Sequence, residues 1–267
     1  MENMPRLDWT FDWKLIIAVI ALSQPWFISI YKRLFRKARV EVFEAGSIEI
    51  GFSSLGPTIG LNGTMTVKSN DTFVSAIKVK VVREKDGSTH DFEWALFRSN
   101  RVKYSQPSEL EVELASGFML MQKQAHRYNI LFAEQVFIQE MNNALTPMVT
   151  AWNTQAPRPQ DLQQATAGTT IEQLRESTYK EFLKNPVSLL AYNAVDRMRY
   201  WDAGVYRLTL SVETVHPDMT FETAWKFELS ATDAERLSYN SPNIVDRACG
   251  IGDDIWLFAF CGYQDVD

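Results

Sequence analysis

The amino-acid sequence predicts a mainly β protein, an antiparallel β-sandwich with an inserted helical segment, preceded by one N-terminal transmembrane helix. Three features of the 267-residue chain lead to this prediction. An apolar run near the N-terminus is followed by a basic cluster. In about eight later runs, apolar and polar residues alternate, which is typical of strands with one solvent-exposed face. Apolar residues three and four positions apart interrupt those runs, which indicates helices.

These features divide the chain into three parts. Residues 1–14 form a short N-terminal tail, and residues 15–39 form a transmembrane anchor with a polybasic end. Residues 40–267 form the β-sandwich domain, with the helical insertion at about 134–201.

The apolar run from Leu15 to Tyr31 has about the 17 residues needed to cross a bilayer. Trp13 lies before it, while Trp26 and Tyr31 lie toward its other side, as in the aromatic belts of membrane proteins. Five basic residues then follow, which can reach anionic headgroups: Lys32, Arg33, Arg36, Lys37 and Arg39. A secretory signal has its basic residues before the apolar core, so the reversed order disfavours cleavage.

The basic residues also predict the orientation of the segment. Only Arg6 and Lys14 precede the run, so the excess of positive charge lies after it. The positive-inside rule then places the domain on the cytoplasmic side of an inner or plasma membrane, with a single pass. An amphipathic helix lying flat on anionic lipid is the alternative, and it also holds the domain at the membrane.

Ser23, Gln24 and Pro25 interrupt the apolar run. Pro25 removes a helical hydrogen bond and predicts a kink, and the amide of Gln24 is a candidate partner for a neighbouring helix. We therefore consider self-association in the membrane beside a simple kinked anchor.

The domain begins as a series of strands. Apolar residues occupy alternate positions in runs near residues 48–52, 59–67, 77–81, 92–96, 110–114 and 128–132. Asp86 and Gly87 form a favoured hairpin turn. After the insertion, two runs near residues 206–212 and 221–229 predict a hairpin that turns at residues 216–218.

The sequence of the insertion predicts three helices. In the first, the apolar positions from Phe137 to Trp152 step by three and four. The second covers residues 170–184. The third begins at Pro186 with Asn185 as its cap, and we expect its packed face to include Leu190, Val195, Met198 and Trp201.

The residues Asp202, Gly204 and Tyr206 have the spacing D-x-G-x-Y. This pattern resembles the corner that opens a late strand in immunoglobulin-like domains, where the tyrosine hydroxyl bonds to upstream backbone. The resemblance implies an immunoglobulin-like antiparallel β-sandwich. Leu208 occupies the position of the second core cysteine in antibody domains, so the resemblance implies no such disulfide.

Charge and motifs restrict the function. Residues 1–39 carry a net charge of +4, so the remaining chain carries -6 minus 4, or -10, which disfavours nucleic acid as a partner. The sequence has no G-x-S-x-G elbow, phosphate-binding glycine loop, H-E-x-x-H or dinucleotide motif. We therefore expect no enzyme, no cofactor and no metal. A hydrolase using Cys249 or the loop at residues 250–254 is the remaining catalytic alternative.

The leading hypothesis is a membrane-tethered, non-enzymatic interaction or scaffold protein that presents a cytoplasmic β-sandwich to protein partners and forms homo-oligomers if the anchor self-associates. The alternative is an oligomerising membrane effector or channel component whose β-sandwich acts as a sensor. In the alternative, Gln24 and Pro25 drive assembly.

Overall fold

The computed structural model describes Ile17 and residues 20–27, 39–68, 70–101, 109–164, 169–252 and 255–266. Its strands, in chain order, are β1 (Arg39–Glu44), β2 (Ile48–Ser53), β3 (Gly56–Lys68), β4 (Thr72–Arg83), β5 (Thr89–Arg101), β6 (Glu109–Leu114), β7 (Phe118–Leu120), β8 (Ala125–Ala133), β9 (Gly204–Val215), β10 (Met219–Leu229), β11 (Phe258–Cys261) and β12 (Gln264–Asp265).

All of these strands belong to one antiparallel sheet. The main path runs β11-β2-β3-β8-β5-β4-β9-β10-β12, with β1 paired to β3, β6 to β5 and β7 to β4. The sheet curves into a half-barrel that brings β1 and β11 near β10. The mainly β, antiparallel part of the prediction is therefore confirmed, whereas the immunoglobulin-like sandwich arrangement stays a prediction.

The period-two pattern of the sequence corresponds to the two faces of this sheet. In β9, Tyr206, Leu208 and Leu210 are buried in the main core, while Arg207 between them is exposed. Since successive strand residues point to opposite faces, each alternating run supplies one apolar row to the inside of the half-barrel. The same alternation in β4 buries Ile77, Val79 and Val81.

The described residues also include a short 3-10 helix at Pro159–Gln164 and five α-helices beyond residue 39: α1 (Gln135–Gln155), α2 (Ile171–Phe182), α3 (Pro186–Arg197), α4 (Ala231–Ser238) and α5 (Asn240–Ala248). The first three lie in the predicted insertion. Helix α3 starts as predicted, with the Asn185 side chain accepting a hydrogen bond from the Val187 backbone N–H.

Helices α4 and α5 follow β10, where no helix is predicted. They have only eight and nine residues. Two turns contain too few apolar residues to show a helical period.

The helices share a second hydrophobic core, built on Met141, Met148, Trp152, Phe182 and Ile244. The strand residue in this cluster is Phe52, at the end of β2. The indole N–H of Trp152 donates to the carbonyl of Cys249 at 2.9 Å, which joins α1 to the residue after α5.

The sheet has two chemically different ends. At the first, which we call the tether end, β1 begins beside the end of β3, with Arg39 opposite Lys68. At the other, the helical end, Phe52 lies opposite Pro57. Lys68 and Pro57 are eleven residues apart along β3, which corresponds to about 36 Å of strand. The chain therefore enters the sheet far from the helical core.

Candidate functional site: the tether end and the helical end

The described part of the N-terminal segment is helical and exposed. Residues 20–27 are helical, including Gln24 and Pro25, whose side chains are both exposed. Four large apolar side chains in this segment are also exposed: Ile17 (65%), Ile20 (61%), Leu22 (79%) and Phe27 (68%). Trp26 is 75% exposed. Ile20 and Phe27 thus do not enter the core of the sheet.

Within the described residues, we find no helix with the length and apolar character required to span a bilayer. Several residues assigned to the anchor lie outside the described ranges, namely Trp13, Tyr31, Lys32, Arg33, Arg36 and Lys37. Their predicted roles stay predictions.

Arg39 was predicted to end the anchor, and in the structure it is the first residue of β1. Its Nε lies 3.7 Å from Glu41 Oε1, and Lys68 Nζ lies 2.6 Å from the same oxygen. Both basic side chains are mostly exposed, at 75% and 65%. Arg39, Lys68 and Glu41 together have a net charge of +1 at the tether end.

The D-x-G-x-Y residues lie at the start of β9. The hydroxyl of Tyr206 donates to the carbonyl of Asp202 at 2.7 Å and accepts from the Asp202 backbone N–H at 3.1 Å. This is the hydrogen bond to upstream backbone that the pattern predicts. The Asp202 carboxylate in turn accepts from Arg83 at 2.6 Å, which joins the corner to the end of β4. Gly204 has φ 152°.

Helix α3 presents apolar residues to the outside. Leu189, Leu190 and Tyr192 are 52%, 69% and 40% exposed. The prediction that Leu190 lies on the packed face is therefore wrong. The buried residues are Ser188, Ala191 and Val195, because small side chains allow α3 to approach α1 closely. The spacing of Ser188 and Ala191 was the sequence signal for this face.

The outer face of the sheet carries a charged groove of about 520 Å³, bordered by β4, β5, β9, β10 and the start of α1. Its charged lining consists of Lys78, Lys80, Asp91, Glu93, Glu134, Glu213 and Glu222. Lys78 Nζ donates to Glu213 Oε1 at 2.6 Å, and this hydrogen bond raises the pKa of the lysine. With five carboxylates and two lysines, the groove favours cationic groups. The groove could not be predicted from the sequence, since these residues meet only in the folded sheet.

Two of the three histidines are partly buried. His90 Nδ1 lies 3.0 Å from Glu134 Oε2, and its ring lies 4.0 Å from that of Tyr200. The His90 side chain is only 23% exposed. His126 stacks on Phe118 at 4.2 Å, and burial lowers its pKa, which favours the neutral ring. Across the described ranges, no three His, Cys, Asp or Glu side chains are grouped to hold a metal ion.

Both cysteines are free and buried. Burial raises the pKa of each thiol from about 9 to about 11, so neither is an activated nucleophile. Near Cys249, the Tyr179 hydroxyl donates to Asp246 at 2.8 Å, and the desolvated carboxyl of Asp246 has a raised pKa. These groups pack the helical core together.

We therefore expect both thiols of the folded chain to resist alkylation. At pH 8 the neutral form dominates, because the pKa of each buried thiol is about 11. Iodoacetamide should modify neither residue before unfolding and both in urea, as measured by mass spectrometry of the intact chain. Fast modification of native Cys249 at pH 8 would support the hydrolase alternative instead.

Comparison of the sequence with models of known protein families and with curated proteins finds no match.

Proposed function

We propose that this chain is a membrane-tethered, non-enzymatic interaction or scaffold protein. In this proposal, the N-terminal segment crosses an inner or plasma membrane once, and the β domain faces the cytoplasm. The helical end of the domain and the charged groove meet protein partners. The observation that carries the proposal is the exposure of the large apolar side chains along residues 17–27.

The free energy of transfer favours a lipid environment for these side chains. Fully burying a Leu, Ile or Phe side chain contributes about 1.5–3 kcal/mol. Ile17, Ile20, Leu22 and Phe27 together would therefore contribute about 6–12 kcal/mol when they leave water. The core of the sheet does not cover them, and hydrocarbon does so without any change in the fold.

The two ends of the sheet favour the same arrangement. The segment joins the domain at the tether end, about 36 Å of strand away from the helical end. A membrane at the tether end therefore leaves the exposed residues of α3, Leu189, Leu190 and Tyr192, directed to the cytoplasm. Exposed apolar residues on one helix are typical of protein contact surfaces.

We also propose that the half-barrel is an immunoglobulin-like sandwich variant. The hydrogen bonds between Tyr206 and Asp202 support this, as does the enclosure of the main core by both halves of the curved sheet.

Protease protection tests the proposed topology. In sealed vesicles from cells that express the full chain with different tags at its ends, added protease should remove the C-terminal tag only from vesicles with their cytoplasmic face outward. The N-terminal tag should be protected in those vesicles. Digestion of both tags in vesicles of either orientation would contradict a single pass.

The alternative function, an oligomerising membrane effector or channel component, is supported by the exposed amide of Gln24 among apolar side chains of the helical segment. A polar side chain in hydrocarbon favours a hydrogen bond to a neighbouring helix. Cross-linking in native membranes separates the two proposals. Oligomers that disappear in Gln24→Leu favour the effector, and monomers alone exclude it.

A further inference from the structure

Three neighbouring strands place an apolar row on the outer face of the sheet. Phe73 in β4 lies opposite Met119 in β7 on one side and opposite Val215 in β9 on the other. Their exposed fractions are 38%, 48% and 38%. Met121, one residue beyond β7, is 49% exposed. We call these four residues the apolar row. The alternate positions Thr72, Val74, Leu120 and Thr214 are buried.

The conformation of the row keeps it flat. The backbone of Gly117 lies against the ring of Phe73, so closely that a side chain at position 117 would collide with the ring. The ring therefore lies along the sheet surface and remains 38% exposed in that position. A flat apolar patch of this kind suits a broad surface better than it suits a single inserted side chain.

The apolar row lies at the tether end. Phe73 is the second residue of β4 and Val215 is the last of β9, and the first residue of β8, Ala125, pairs with Thr66 beside the end of β3. The same end of β3 pairs with Arg39, where the N-terminal segment joins the sheet. The chain therefore enters the sheet at the same end as the row.

The charge of this end differs from that of the domain. Lys68 and Lys123 border a shallow depression of about 670 Å³ between the ends of β3 and β8. Both are exposed, and Lys123 has φ 65°, in the turn that precedes β8. Arg39 and Arg127 add positive charge nearby, while Glu41, which pairs with Lys68 and Arg39, and Asp71, which accepts from the Gln122 backbone N–H, add negative charge. Residues 40–267 together carry -10, so an anionic surface repels this end less than it repels the domain as a whole.

We propose that the apolar row and the basic residues of the tether end form a second membrane contact. In this contact, the tether end of the sheet binds anionic phospholipid. This inference rests on the proposed function, because the tether supplies the membrane. Met119, Met121, Phe73 and Val215 contact the region between headgroups and acyl chains, and Lys68 and Lys123 contact the lipid phosphates. The contact fixes the tilt of the domain and directs the helical end away from the bilayer.

Two contact points explain the arrangement better than a tether alone does. A single contact leaves the domain free to rotate, so that α3 faces the lipid in some orientations. A second contact at the same end removes that freedom. A second copy of the chain bound through the apolar row is the rival occupant, and the experiment below distinguishes it.

The test uses the full chain in vesicles, with one cysteine introduced at Met119→Cys and labelled with bimane. The native thiols are buried, so the introduced cysteine is labelled preferentially. Lys85→Cys is the matched control, because it lies in the turn at the opposite end of the same strand, β4, and is exposed. Vesicles contain phosphatidylcholine with phosphatidylserine, and a second set contains the same lipids with brominated acyl chains near the headgroup.

The brominated lipid should quench most of the fluorescence at position 119 and leave that at position 85 unchanged. Removing phosphatidylserine should weaken the quenching at position 119. If the labelled chain floats with the vesicles but shows no quenching at 119, the second contact is absent and the tether stands. A blue shift at 119 that depends on protein concentration, without quenching by lipid, identifies a second copy and overturns the inference. A chain that does not float with vesicles overturns the tether and this inference together.

Discussion

Replacing Trp201 with alanine should lower the free energy of unfolding of the domain by about 3–5 kcal/mol, the range for removing a large aromatic side chain from a core. Trp201 is fully buried in the main core of the sheet. Its ring stacks on Phe92 at 6.0 Å and meets Tyr206 edge-on at 5.6 Å. Its indole N–H donates to the carbonyl of Gly51 at 2.8 Å. The substitution therefore leaves both a cavity and an unpaired carbonyl.

Urea unfolding of the full chain in mild detergent, followed by circular dichroism, measures this change. Trp201→Phe separates the two effects, because it retains an aromatic ring and loses the hydrogen bond, at a cost of about 1–3 kcal/mol. Trp26→Ala is the matched control, since Trp26 is 75% exposed, and it should change stability by less than about 0.5 kcal/mol. Equal effects at positions 26 and 201 would contradict the structure of the core.

Neutralising the basic cluster after the anchor should weaken membrane retention and produce mixed orientations. Each Lys or Arg near an anionic surface contributes about 1 kcal/mol, so five together contribute about 5 kcal/mol. The substitutions to glutamine are made at Lys32, Arg33, Arg36, Lys37 and Arg39. They also remove the excess of positive charge that determines orientation, which leaves only Arg6 and Lys14, on the other side of the segment. Protease protection of both termini measures the mixture.

The matched control changes the net charge equally on the surface of the domain. Five exposed basic residues away from the segment are replaced by glutamine instead: Lys85, Arg158, Lys180, Lys184 and Arg236. This variant should retain the normal orientation and sediment with membranes. If both variants behave like the unmodified chain, the roles assigned to the five residues after the anchor are wrong.

The strands could be predicted because one face of each is buried. Alternation in β4, β9 and β10 follows directly from the enclosure of the main core by the sheet. The order of the strands in the sheet could not be predicted in the same way, because an alternating pattern does not show which strand pairs with which. For example, β1 and β2 both pair with β3, one after the other along its length.

The helices show where the spacing of apolar residues in the sequence fails to predict the structure. Helix α1 is 21 residues long and buries Met141, Leu145, Met148 and Trp152, so its period is visible in the sequence. Helices α4 and α5 are too short for this. In α3, the prediction gave weight to the size of Leu190, while the packing depends on small residues at 188 and 191.

The candidate site was partly predictable for the same reasons. An anchor could be proposed because the apolar run and the basic cluster are contiguous in sequence. The apolar row could not be predicted from the sequence, because Phe73, Met119 and Val215 come from three strands. They meet only through the register of β4 with β7 and β9. The residues of the charged groove are likewise brought together only in the folded sheet.

Alkaline extraction of membranes tests whether lipid surrounds the first hydrophobic segment. Membranes that contain the full chain are washed with sodium carbonate, centrifuged at high speed and then treated with detergent. The proposed single pass predicts that the chain remains in the pellet after carbonate and enters the supernatant only with detergent. Recovery of the chain in the supernatant of detergent-free lysate would contradict it.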